Sequence, residues 1–171
     1  MMQALVRSSL FRRMELQALM NLTARALGVP AERIWARRHE DALRAYAAFT
    51  AGHLQGGVSP EILQRMNDEA ARMGRRLRKL FRLKDPSETE RFIFALYDHI
   101  GIAMEGRIPG EIFVSRCYFS TYYTPVVCLA ASSLDEGIIR GLTGEGQLRF
   151  SRRLTEGCTR CQAMFFNKEG K

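Results

Sequence analysis

Over the first hundred residues apolar side chains recur at steps of three and four, the spacing of helices with one buried face. Leu10, Met14, Leu16, Leu19, Met20, Leu22 and Leu27 predict a helix over 9–27, and Gly28 suits the position just past its end. Pro30 then fits the first turn of a second helix reaching Leu54. Its stripe is Trp35, Ala42, Tyr46 and Phe49, with Leu43 alongside and His39 and His53 continuing the same face. Ser59 and Pro60 restart the pattern as capping residue and first-turn proline. The third helix, to about Leu83, presents Ile62, Leu63, Met66, Ala70, Met73, Leu77, Leu80 and Phe81 on one side and arginines on the other. Asp85, Pro86 and Glu88 open a fourth helix through Phe92, Ile93, Leu96, Ile100 and Ala103, ending near 104–106.

The period changes after Arg107–Ile108–Pro109–Gly110. Residues 112–119 are rich in β-branched and aromatic side chains and read as a strand. Residues 122–142 read as a helix with Pro125 in its first turn. Residues 147–155 alternate imperfectly through Leu148, Phe150, Arg152 and Leu154, as a half-exposed strand does. A turn at 156–160 leads to a returning strand at 161–166, and 167–171 is expected to fray. The prediction is a single α+β domain. About four helices in 1–106 pack on a small antiparallel sheet formed mainly by the C-terminal third, and 107–166 carries the candidate site.

Composition narrows the class without naming a reaction. The 171 residues are 46% hydrophobic and 26% charged, as in an ordinary globular domain. No apolar run approaches the roughly 20 residues needed to span a bilayer, and the N-terminus lacks a secretory pattern, so a cytoplasmic location is expected. Net charge is +8, which leaves room for an acidic partner, and much of the excess lies in 72–84. That stretch has no interleaved aromatics and no Gly-rich RNA signature, so a solvated basic face is favoured over nucleic-acid binding. A small-molecule ligand or substrate is the expected partner, with a homodimer left open. No P-loop, dinucleotide-binding glycine fingerprint, nucleophile elbow or His-Glu-x-x-His motif occurs.

All four cysteines, Cys117, Cys128, Cys158 and Cys161, lie in the last third. Cys158-x-x-Cys161 can chelate a soft metal or form a redox pair. With one such pair rather than two, the expectation is no cofactor; zinc or iron at Cys158 and Cys161 is the alternative. Alternation puts Cys161 on a core-facing strand, where a free thiol packs as a small apolar group. His39 and His53 are about 21 Å apart along one helix, too far to share a metal. His99, near the end of the fourth helix, is the better histidine for acid–base work.

One ordered series joins these observations. Cys117 lies in a strand, Cys128 in the next helix, and Asp135 seven residues on; Phe150 to Thr155 (FSRRLT) and Gly157 then precede Cys161 and an aromatic ending. Over about 107–166 this series resembles the L-2-amino-thiazoline-4-carboxylic acid hydrolase family. Its last part is also similar to the vinyl-4-reductase-type small-molecule-binding domain. Cys158 stands where the family carries an acid, and Tyr-Phe-Ser-Thr follows Cys117 where the family commonly has Cys-Pro. The resemblance implies helices on an antiparallel sheet around an apolar pocket, and hydrolytic opening of a cyclic amidine. It points to Cys128 or Cys117 as the thiol and Asp135 as acid or base. Arg116 or Arg149 would meet the substrate carboxylate, and Cys161 and His99 would border the pocket. The alternative is a non-catalytic ligand-binding or redox- or metal-sensing module.

Overall fold

The computed structural model describes residues 9–166, with side chains from residue 15 onward. The inward positions expected of the Leu10 and Met14 side chains lie outside the described side chains, and the fraying expected of 167–171 lies outside the described residues. The elements are helix α1 (Ser9–Leu27), α2 (His39–Leu54), α3 (Pro60–Leu80), α4 (Pro86–His99), strands β1 (Ile102–Gly106) and β2 (Gly110–Cys117), helix α5 (Pro125–Thr143), and strands β3 (Gln147–Arg152) and β4 (Cys161–Phe166). Single 3-10 turns follow β2 (Tyr118–Thr121) and β3 (Leu154–Glu156). The four strands form one antiparallel sheet in the order β1-β2-β4-β3. The class is α+β, with helices first and the sheet in the C-terminal part. No described helix is long and apolar enough to cross a membrane.

The helix starts follow local chemistry. Ser59 Oγ accepts the Ile62 amide ahead of α3, Asp85 accepts the Ser87 amide ahead of α4, and Thr124 accepts the Val127 amide ahead of α5. Each is followed by proline in the first turn.

Three expectations are corrected. The second helix begins at His39 rather than Pro30, because α1 ties down the intervening segment. The Gln17 side chain donates to the Glu32 carbonyl (3.0 Å) and accepts the Ile34 amide (2.8 Å), satisfying backbone groups that a helix would otherwise pair. Trp35 is therefore 80% exposed, with the Arg33 guanidinium over its ring, instead of heading a buried stripe. The fourth helix stops at His99, and 102–106, expected within or just beyond its last turn, is a strand paired with β2. Leu80, placed on the apolar side of α3, is 71% exposed because the helix ends there.

A close backbone contact joins α3 to α5. A Cβ on Gly74 would lie 2.9 Å from Gly141 Cα, and one on Gly141 would lie 2.9 Å from Gly74 Cα. One on Gly137 would lie 2.7 Å from Ala70 Cβ. Three glycines thus let the two backbones touch, and Arg140 straps the crossing by donating to Asn67 and Asp68. From this seat α5 also meets α2, α4 and β3. The core runs from Leu16, Met20 and Leu22 through Leu54, Met66, Phe92 and Ile93 to Ile112, Ile139, Leu142 and Phe165.

Gly141→Ala should therefore lower stability by roughly 2–4 kcal/mol in urea unfolding, since the methyl has to push two backbones apart. Gly52→Ala, in α2 with nothing within 4 Å of the added carbon, should raise it by about 0.5–1 kcal/mol. Equal effects at the two sites would show that the α3–α5 contact is not tight.

Candidate active site

A cavity of about 80 Å³ lies between α5, the sheet and the two 3-10 turns, and Cys117, Cys128, Asp135 and Cys161 all line it. Most of its remaining wall is apolar or aromatic, including Leu19, Tyr46, Ile102, Phe119, Tyr123 and Ile138. Cys128 and Asp135 are seven residues apart on α5, two turns, and so share a face. Cys161 begins β4 and points inward with Ala163 and Phe165.

Cys117 reaches the cavity through an irregularity. Ala103 pairs with Arg116 but Met104 pairs with Val114, so Ser115 is an extra residue in β2. Without it the alternation that buries Ile112 and Val114 would bury Arg116 next. The bulge shifts the parity, so Cys117 turns inward and Arg116 outward. The same device recurs in β3, where Phe150 pairs with Ala163 and Arg152 with Gln162, leaving Ser151 unpaired in the ladder. After Leu148 and Phe150, the next inward side chain is therefore Arg153, whose side chain is only 12% exposed, while Arg152 is exposed.

Asp135 is the electrostatic centre. Protein surrounds it, and the accessible surface it keeps is cavity wall. Burial disfavours the carboxylate and pushes its pKa up from 3.8 to about 7, opposed in part by a hydrogen bond from the Tyr97 hydroxyl (3.0 Å) and by the positive charge of Arg153. Burial likewise raises the Cys117 thiol to about 12 and raises Cys128 and Cys161, with the Asp135 charge adding to each. The Leu154 amide donates to Cys161 Sγ at 3.3 Å and favours its thiolate slightly. At neutral pH these are thiols, while the carboxyl is close to half ionised.

The structure does not bring every expected residue here. Arg116 and Arg149 are exposed on the outer face of the sheet, Arg149 bonding Gln147, because both sit at outward positions of the pleat. His99 is buried off the cavity, its Nδ1 4.0 Å from Glu15, because α4 ends with that face turned toward α1. Its carbonyl accepts His39 Nε2 (2.6 Å), whereas His53 is exposed against the Phe49 ring. Cys158 lies in the β3–β4 connection outside the cavity wall. Among the described residues no three His, Cys, Asp or Glu side chains group as metal ligands. The inward Arg153, and Tyr97 beneath Asp135, are the residues that spacing did not single out. The faltering alternation after Phe150 was the available signal for Arg153; Tyr97 had none.

The raised pKa sets a pH dependence for stability. Below about pH 4 the carboxyl is protonated both folded and unfolded, and its full contribution is present. As pH rises toward 7 the unfolded chain loses that proton while the folded chain keeps it, so stability falls, by at most about 4 kcal/mol for the shift from 3.8 to about 7. Asp135→Asn should remove this slope. Urea midpoints at about pH 4.5 and about pH 8 measure it, and a wild-type loss identical to that of the variant would rule it out.

No family model matches the chain, and no curated protein or solved structure is significantly similar to it.

Proposed function

We propose that the protein is a hydrolase-like enzyme acting on a small molecule held in this cavity, with Asp135 as the group that moves protons. The observation that carries this reading is a carboxyl titrating near neutrality on the wall of an apolar cavity, the property a general acid–base needs at physiological pH. The reaction that the sequence resemblance names, opening of a cyclic amidine, uses such a group twice. The ionised Asp135 takes a proton from water as its oxygen bonds to the amidine carbon. The same proton then goes to the ring nitrogen, which enters protonated as part of an amidinium, as the carbon–nitrogen bond breaks. The hydroxyl left on the carbon gives its proton to Asp135, and on to solvent, as it becomes the carbonyl. Tyr97 holds the carboxylate in position through its hydroxyl, and Arg153 supplies nearby positive charge. Thiols with raised pKa values are weak unaided nucleophiles, so Cys117, Cys128 and Cys161 are assigned to shaping the cavity and contacting the substrate.

One observation favours a second reading, a non-catalytic ligand-binding module. The cavity, about 80 Å³, is smaller than the roughly 150 Å³ that admits benzene. A ring-bearing substrate therefore requires the two 3-10 turns to part, and a smaller apolar ligand does not.

The two readings separate on turnover of 2-aminothiazoline-4-carboxylate, followed by mass spectrometry of the ring-opened product. The hydrolase reading expects wild-type turnover with kcat/KM inflecting near pH 7, a loss of at least ~100-fold in Asp135→Asn, and less than ~10-fold in Cys117→Ala or Cys128→Ala. No turnover by folded wild type would overturn it. A ligand-induced rise in Tm retained in Asp135→Asn would then favour the binding module.

A further inference from the structure

The residues 70–84 (AARMGRRLRKLFRLK) hold seven cations and no acid, in a chain of net charge +8. Arg72 is taken up by Glu69. Five of the others, Arg75, Arg78, Lys79, Arg82 and Lys84, surround one open cleft of about 690 Å³ between the end of α3, the segment 82–84 that follows it and the end of α5. Among the described residues none of these five forms a salt bridge. The nearest acid in sequence, Asp85, caps α4.

A solvated helix face ordinarily spaces its cations among acids three and four residues away. Here like charges are gathered around a concavity, and their mutual repulsion is offset only in part by the negative ends of α3 and α5. Arg82 adds an independent sign. It ends α3 at φ 52°, the left-handed conformation that glycine adopts most easily, with the Leu83 amide bonding back to the Arg78 carbonyl (3.0 Å). A non-glycine residue there costs roughly 1–2 kcal/mol, and the strain holds a cation at the cleft.

We infer that this cleft binds a ligand carrying two or more clustered phosphates, whether free in solution or on a lipid headgroup. Arginine forks match phosphate oxygens in geometry as well as charge. The volume falls within the ~300–1,000 Å³ of ordinary small-ligand sites. Convergence on one concavity suits a compact polyanion; an extended nucleic acid calls for a longer stripe with aromatic stacking surfaces, which 70–84 lacks.

The test is isothermal titration of the full chain with tripolyphosphate at low ionic strength, alongside sedimentation with phosphatidylcholine vesicles with and without phosphatidylinositol bisphosphate. Binding in either arm is expected, weakening steeply with salt. Arg75→Gln/Lys79→Gln/Arg82→Gln should weaken it at least ~10-fold, while Arg116→Gln/Arg149→Gln/Arg152→Gln, with the same change in net charge, should leave it within about two-fold. If the first variant does not fold, Lys79→Gln/Lys84→Gln should shift affinity in the same direction. Asp135→Asn should bind as wild type does, which keeps this result separate from the fate of the hydrolase reading. Tripolyphosphate binding alone assigns a free ligand, and vesicle binding alone assigns a headgroup. No binding in either arm, or equal weakening by both triple variants, overturns the inference.

Discussion

Backbone contact between α3 and α5 at Gly74, Gly137 and Gly141 is the constraint on which the rest of the structure depends. Without side chains between them the helices approach closely enough for α5 to meet α2, α4 and β3 as well. Close packing of this kind has little slack, because a methyl group has nowhere to go without moving main chain. The face of α5 that carries Cys128 and Asp135 inherits that fixity. The candidate site is thus built on a helix whose position is set by three missing side chains, two of its own and one on α3.

Burial at that position governs the chemistry. A carboxyl enclosed by apolar walls, with one phenol hydroxyl as partner and a guanidinium nearby, is held between its two protonation states near pH 7. The thiols around it are moved the other way in usefulness, since the burial that makes a carboxyl a serviceable acid makes a thiol an unreactive one. Environment separates the roles of groups that share one cavity.

Much of the architecture was legible in the sequence where the cause is local. Ser59 with Pro60, Asp85 with Pro86, and Gly28 act within a few residues of themselves, and the helix boundaries they mark are found in place. The reading failed where the cause is distant. Trp35 fits a helical stripe, but Gln17 on α1 decides the conformation of its segment. Residues 102–106 continue an apolar helical spacing from Ile100, and only the presence of β2 makes them a strand. Cys117 reaches the cavity only through the bulge at Ser115, whereas the shared face of Cys128 and Asp135 and the inward turn of Cys161 follow from helix and strand periods that could be read directly. Which arginine turns inward could not, because period two fails at Ser115 and Ser151, and a bulge is visible in sequence only as a faltering pattern.

The bulge in β3 has a consequence for how the sheet ends. This strand is an outer edge, and its free backbone groups are a ready template for another strand. Ser151 interrupts that template halfway along, and Arg149 and Arg152 face solvent on either side of it. A neighbouring chain pairing along the whole edge would have to straighten the bulge, and a straightened β3 would exchange Arg152 for Arg153 at the inward position. Ser151, whose bulge turns Arg153 rather than Arg152 inward, is therefore also the residue that closes the sheet to further strands.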